Sequence, residues 1–136
     1  MITIEQYFGD KEYTEDQLQC AIYLLNHVNP LLEEAKAAGV YNDEICPNTG
    51  TQISGSKGGS GDGGFRLPAS TTGSATSSHK EAKGVDVYDP KKALSKWLTR
   101  TILIKYGLYR EHPDYTPTWC HLTTRAPKSG CRTFVP

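Results

Sequence analysis

Two side chains in the middle of the chain, His79 and Asp86, have the chemistry of metal ligands. A neutral imidazole and an ionised carboxylate are both good ligands for zinc. A third nitrogen from elsewhere would complete the protein ligands and leave one position of a tetrahedral ion open for water. The best candidate is His121, which follows Trp119 and Cys120 late in the chain. The sequence therefore predicts a zinc site assembled from distant segments.

The residues around this pair favour a close approach of the backbone to a buried ion. Ser77, Ala82 and Gly84 are small and leave room for it. The segment 84–88 alternates like a short strand, so Asp86 should point away from the two valines beside it. We expect Asp86 to face a cleft while the valines fill the core.

Length and composition limit the classes of function. The 136 residues predict one domain, 1–136, with fifteen basic and fifteen acidic side chains and no net charge. The basic stripe typical of nucleic-acid binding is missing, so we expect no nucleic-acid partner. Apolar runs are too short to cross a bilayer, and the N-terminus lacks a signal pattern. We therefore expect that the protein is made in the cytoplasm. We expect no membrane insertion.

The four cysteines do not form a Cys-x-x-Cys pair, which argues against a structural zinc knuckle. Reduced thiols are the expected state in the cytoplasm. Cys120 adjoins His121, but neighbours in a strand face opposite ways. We therefore do not count Cys120 as a ligand.

Helix signals dominate the N-terminal third. The segment 3–9 predicts a short helix or turn, and Thr14 with Gln17 has the spacing of a capping box. Apolar residues then recur at helical steps from Leu18 to Leu32. Pro30 is expected to kink or split this helix, and Gly39 to end it.

A polar stretch from 41 to 78 contains one strand-like piece, 51–54, and a glycine-rich loop at about 55–64. This loop lacks the Gly-Lys-Ser/Thr ending of a phosphate-binding loop and predicts a mobile surface loop leading to the site. Asp89-Pro90 predicts the start of a helix that runs to Lys105 and carries Trp97 as a core anchor. Strands are expected at 108–110, 119–122 and 132–135. The predicted fold is α+β, a small antiparallel sheet with helices packed on it.

The pattern Ser77-x-His79-x6-Asp86, together with the late Trp119-x-His121, resembles zinc peptidases of the D-alanyl-D-alanine carboxypeptidase and phage endolysin type. This is the hedgehog-like metallopeptidase group. The order of elements is similar over nearly the whole chain, and the segments 116–121 and 129–136 are most like small phage-encoded members. The resemblance implies the hedgehog-like variant of the α+β fold.

By this resemblance His79, Asp86 and His121 would hold Zn²⁺, which lowers the pKa of a water toward about 7 and polarises the scissile carbonyl. Arg66 would bind substrate and stabilise the developing oxyanion. Ser77 would support the loop that carries His79 and help to bind substrate. The implied substrates are the stem peptides of peptidoglycan.

Two features depart from the family's pattern. The arginine usually follows a Ser-Gly segment almost at once, whereas Arg66 is separated from Ser54-Gly55 by the glycine-rich loop. The general-base carboxylate usually lies three residues before the last histidine, and Thr118 stands there. Threonine cannot accept a proton near neutral pH. Glu111, Asp114 and His112 lie in the preceding segment and are the alternative bases.

Two functions follow from the resemblance. One is an active zinc peptidase that cuts peptidoglycan stem peptides or cross-links for a phage. The alternative is a catalytically inactive virion structural or cell-wall-binding module, which Thr118 favours. In either case the implied partners are peptidoglycan peptide and other virion proteins. The protein would be made in the host cytoplasm and act at the cell wall after release or as part of a particle. A third reading, an α+β domain with unrelated histidines, requires the spacing to be coincidental.

Overall fold

A computed structural model describes residues 1–56, 62–74 and 76–136. In chain order the elements are helices α1 (Ile4–Phe8) and α2 (Glu15–Ala37), a 3₁₀ turn (Ser78–Glu81), strand β1 (Gly84–Tyr88), helices α3 (Ala93–Trp97) and α4 (Arg100–Lys105), strand β2 (Tyr109–Glu111), a second 3₁₀ turn (Pro113–Tyr115), and strands β3 (Trp119–Thr123) and β4 (Thr133–Phe134). The α+β class is therefore observed. Among these described helices, none is long and apolar enough to span a membrane.

The two N-terminal helices begin where the sequence predicts. The Thr14 hydroxyl caps α2 by accepting from the Gln17 backbone amide. The Gln17 side-chain oxygen accepts in return from the Thr14 backbone amide, so the predicted capping box is confirmed. The helix is unbroken at Pro30 and ends at Ala37, so the expectation of a split is wrong. Its buried stripe is Ala21, Leu24, Leu25, Val28, Leu31, Leu32 and Ala35. This long apolar face keeps the chain helical across the proline.

The sheet has the strand order β1-β3-β2-β4. Strand β3 is antiparallel to both β1 and β2, as expected. Strand β4 runs parallel to β2, which corrects the expectation of a purely antiparallel sheet. The physical reason is the connection after β3. It passes to the far side of β2 and reverses the chain, so that β4 runs in the direction of β2. The Arg110 amide then donates to the Arg132 carbonyl at 2.7 Å and the His112 amide to the Phe134 carbonyl at 2.8 Å.

The helix predicted from Asp89-Pro90 to Lys105 is two short helices, and α3 begins only at Ala93. The buried Asp89 carboxylate still caps, but it accepts from the Leu94 and Ser95 amides further along. Leu98 then adopts an extended conformation, φ −64° and ψ 127°, and Thr99 caps α4 through the Ile102 amide. This second cap explains the break, because a capping residue has non-helical backbone angles.

One face of the sheet forms the core. Val85, Val87, Cys120 and Leu122 are buried there with α2, and Trp97 is only partly buried against the same cluster. The strand-like piece 51–54 makes one bridge, between Ile53 and Val87, instead of a regular strand. Half of the predicted glycine-rich loop at about 55–64, residues 57–61, lies outside the described residues. The opposite face of the sheet carries the polar residues of the site.

Candidate metal centre

The strand register places a row of functional side chains across the sheet. Asp86 on β1 and His121 on β3 are direct partners. Tyr109 pairs with Thr123 and Arg110 with Leu122, so one step further along β2 Glu111 comes opposite His121. Glu111 in turn pairs with Phe134 on β4. Because side chains alternate along strands, this row lies on the face opposite Val85 and Val87.

His79 reaches the row from the 3₁₀ turn beside β1. The Ser77 hydroxyl caps this turn by accepting from the His79 amide at 3.3 Å. The Arg66 amide donates to the His79 carbonyl at 3.2 Å, and His79 Nδ1 lies 2.8 Å from the Gly64 carbonyl oxygen. His79 is therefore held both through its backbone and through the ring nitrogen Nδ1.

The three predicted ligands converge. Asp86 Oδ1 lies 3.3 Å from His79 Nε2 and 2.8 Å from His121 Nδ1, and one ligand atom from each residue falls within 4.8 Å of the others. All three side chains are buried. Ligands about 2.0–2.1 Å from a tetrahedral zinc ion are separated by about 3.3 Å, so the spacing suits this ion with small adjustments.

Hydrogen bonding determines which ring nitrogen of His79 carries the hydrogen and which one presents a lone pair to Asp86. The Gly64 carbonyl can only accept, so His79 Nδ1 must carry the hydrogen. In the neutral ring, Nε2 then presents its lone pair to Asp86 Oδ1 at 3.3 Å. Two lone pairs facing each other in a buried site need a cation between them, either a proton or a metal ion. A carbonyl partner on the outer nitrogen is also usual for a histidine that binds a metal.

The charge of Asp86 suits a ligand. Burial by itself raises the pKa of this carboxyl, but the positive charge of His79 when its ring is protonated, together with hydrogen bonds from the His121 and His79 rings, outweighs burial and holds the pKa well below its usual range. Arg66 Nη2 also lies 3.6 Å from Asp86 Oδ2. The carboxylate is therefore ionised near neutral pH.

Arg66 and Ser77 both lie at this site, as the resemblance implies. Arg66 Nε donates to the Asp62 carbonyl at 2.7 Å, and Nη1 reaches the Ser77 hydroxyl at 3.5 Å. The Ser77 hydroxyl thus contacts both the guanidinium and the His79 amide. The separation of Arg66 from Ser54-Gly55 in sequence does not remove Arg66 from the site.

The alternative bases fall in different places. Glu111 lines the same cleft as the three ligands, while the described lining does not include Asp114 or His112. The Asp114 side chain is 84% exposed, with Oδ2 3.7 Å from His112 Nδ1. Burial raises the pKa of the half-buried Glu111 carboxyl, and the charge of Asp86 adds to this while His121 and Arg66 oppose it. Of the three candidate bases, Glu111 is the one that lines the cleft.

Sequence reasoning missed Ser78 as a contributor. Its buried hydroxyl lies 3.3 Å from His121 Nε2, the nitrogen directed away from Asp86. Gly84 makes this contact possible, because a Cβ there would meet Ser78 Oγ and lie 3.0 Å from His121 Cε1. Ser78 gives no sequence signal of its own, since the contact joins residues 43 positions apart.

The cleft over the row has a volume of about 350 Å³. Phe134 forms part of its wall, with its ring centroid 6.2 Å from that of His121 in an edge-to-face arrangement. Cys120 lies on the other face, where burial raises its pKa to about 12. Its exclusion from the ligand set agrees with its direction in β3.

Comparison with known proteins finds no family model, no curated protein and no solved structure that matches this chain. The class that the fold and site define is therefore an α+β domain with a buried His-Asp-His group able to hold a metal ion. The peptidase resemblance depends on the residues of this sequence alone.

Proposed function

We propose that the chain is a zinc-dependent peptidase that cleaves peptidoglycan stem peptides. The observation that supports a bound metal is the orientation of the His79 ring. Its Nδ1–H donates to the Gly64 carbonyl, and its Nε2 lone pair faces Asp86. Two histidine nitrogens and one carboxylate leave a position open on a tetrahedral ion, as catalytic zinc sites do. The peptidoglycan substrate follows from the resemblance of the Ser-x-His-x6-Asp pattern.

The residues of the cleft would divide the work of hydrolysis. His79, Asp86 and His121 would hold the ion, which when bound would lower the pKa of a water and polarise a carbonyl. Arg66, fixed by Asp62 and Ser77, would stabilise negative charge on the carbonyl oxygen. Glu111 would accept the proton of the attacking water and pass it to the leaving nitrogen.

A second candidate is a catalytically inactive virion or cell-wall-binding module that keeps the fold and the ion. The supporting observation is Thr118, which stands where the resembling peptidases carry a carboxylate. Glu111 favours catalysis, because it provides a carboxylate in the same cleft from another strand.

The first experiment measures metal. Protein purified without chelator should contain about one zinc per chain by elemental analysis, because the three buried ligands suit that ion. His79→Ala should lose it, while His27→Ala on α2 should retain it. Absence of metal from the unsubstituted protein would remove both zinc-based candidates.

The second experiment separates the candidates by activity. Untreated protein should clear a suspension of exposed peptidoglycan and release new amino termini, and chelator should abolish both effects. Zinc should restore them. Metal-loaded protein that binds the wall without cutting it would support the inactive module, and clearing that persists after chelation would contradict the proposed mechanism.

A further inference from the structure

A second cleft meets the first at the metal centre. It has a volume of about 460 Å³, and its lining includes Ser54, Ser56, Asp62 and Thr118. We call it the Thr118 arm, and we call the part of the first cleft lined by Thr123, Arg125 and Pro127 the Arg125 arm. Both clefts are lined by Arg66, Gly73, Asp86 and Trp119. The two clefts are therefore continuous over these shared residues.

Strand β3 shows that the arms extend in opposite directions. Trp119, His121 and Thr123 lie on one face at two-residue steps, with His121 in the middle. Trp119 leads into the Thr118 arm, and Thr123 leads into the Arg125 arm. From Trp119 to Thr123 the strand covers about 13 Å, the length of about four extended residues. Among the described residues, an extended peptide above His121 has room on both sides.

The cations of the two arms are already held by acceptors of the protein. Arg66 faces Asp86 and donates to Asp62 and Ser77. Arg125 Nη1 donates to the Thr76 carbonyl at 2.7 Å and lies 3.1 Å from a Glu81 oxygen. A site that selects a chain terminus needs a cation available for the free carboxylate. Among the described lining residues, the Arg125 guanidinium is held by these acceptors, and the proposed mechanism uses the Arg66 guanidinium for the carbonyl oxygen of the cleaved bond, so neither is left for a terminal carboxylate.

We infer that the substrate is a peptide that continues on both sides of the cleaved bond, so that the enzyme is an endopeptidase and not a carboxypeptidase. This inference depends on the proposed function. In the reaction, water hydrolyses an internal C–N bond: that bond breaks, the carbonyl carbon gains the hydroxyl and the leaving nitrogen gains the proton. Contacts in both arms contribute binding energy that aligns the bond over the centre.

Substrate length tests the inference. The probes are a cross-linked stem-peptide dimer, a single stem peptide with a free C-terminal carboxylate, and the same peptide amidated. We expect the dimer to be cut with kcat/KM at least roughly tenfold above the single peptide, and amidation to change the rate less than about twofold. Release of the C-terminal residue from the free peptide, abolished by amidation, would overturn the inference while leaving the peptidase proposal intact.

Blocking variants test each arm separately. Thr118→Trp fills one arm and Pro127→Trp the other, because Thr118 lines the Thr118 arm, Pro127 lines the Arg125 arm, and neither residue is buried. Each should reduce kcat/KM on the dimer by roughly tenfold or more. Thr101→Trp, on the exposed side of α4, should leave it unchanged. Full activity in either arm variant would show that this arm is not used, which contradicts the inference.

A binding measurement does not depend on turnover. The dimer added to chelator-treated protein should shift backbone amide resonances in both arms, near Thr118 and near Arg125. Shifts confined to one arm, or no shifts, would overturn the two-sided groove. Failure of every peptide to be hydrolysed by zinc-loaded protein, with shifts in both arms, would instead reject the peptidase proposal and retain the groove.

Discussion

Glu111 and Asp114 differ sharply in environment although only two residues lie between them. Glu111 lies in the cleft beside His121, whereas the Asp114 side chain is 84% exposed. We predict that Glu111→Gln lowers kcat by about 10²–10⁴-fold with zinc retained, because a positioned base contributes about that factor. Asp114→Asn should leave kcat unchanged. Steady-state rates and elemental analysis on both variants provide the measurement.

The pH profile adds an independent check on Glu111. A base must be ionised to accept a proton, and burial raises the pKa of this carboxyl. The value of kcat/KM should therefore rise with pH as this carboxyl ionises, and Glu111→Gln should remove this limb. A limb that persists in the glutamine variant would assign it to another group.

Gly84 allows two site residues to pack closely. A Cβ at this position would meet the Ser78 hydroxyl and approach His121 Cε1 to 3.0 Å. We predict that Gly84→Ala weakens zinc affinity by more than tenfold and also lowers the melting temperature of the metal-free protein. Ser78→Ala, the companion variant, should reduce zinc affinity by about 10–100-fold while changing metal-free stability less. Unchanged affinity and melting in Gly84→Ala would contradict this packing role.

The sequence alone predicts the three candidate ligands, because imidazole and carboxylate side chains are metal-binding residue types. His79 lies in the 3₁₀ turn and Asp86 in β1, the strand that follows it closely, so local spacing places them together. The resemblance pointed to Arg66 and Ser77. Local sequence does not reveal Ser78 or single out Glu111 among the three candidate bases, because both depend on residues far apart in the chain. Ser78 contacts His121 from the 3₁₀ turn, and Glu111 comes opposite His121 through the strand register.

Asp89 caps α3, although this helix begins at Ala93 and not directly after Asp89 as the sequence predicts. Its carboxylate is buried and accepts from the Leu94 amide, the Ser95 amide and the Ser95 hydroxyl. We predict that Asp89→Ala lowers the free energy of unfolding by on the order of 2 kcal/mol, since it leaves buried donors without partners. Urea unfolding of metal-free protein measures this. Asp89→Asn should cost less, and equal losses would argue against the capping contribution.

The elements show where local signals suffice. The capping boxes at Thr3 and Thr14 involve residues three positions apart, and both helices begin accordingly. The break at Leu98 was missed because the apolar spacing continues across it and only the Thr99 cap reveals it. The direction of β4 was missed because a two-residue strand contains no information about which neighbour it will join.

The candidate metal centre joins parts of the molecule that are distant along the chain. Its candidate ligands come from the 3₁₀ turn at Ser78–Glu81, from β1 and from β3, and the outer nitrogen of His79 is hydrogen-bonded to the Gly64 carbonyl. Without a cation, His79 Nε2 and Asp86 present lone pairs to each other. An ion at this point therefore stabilises the folded arrangement as a whole and has no equivalent site in the unfolded chain.

Zinc should consequently stabilise the entire fold. At a free zinc concentration of 100 times Kd, linkage gives about 2.7 kcal/mol of stabilisation, a rise of several degrees in the melting temperature of a domain of this size. Thermal unfolding with zinc and with chelator measures the difference. His79→Ala should melt at one temperature in both conditions, whereas His27→Ala should keep the full shift. A zinc-dependent shift that survives His79→Ala would place the stabilising ion elsewhere on the chain.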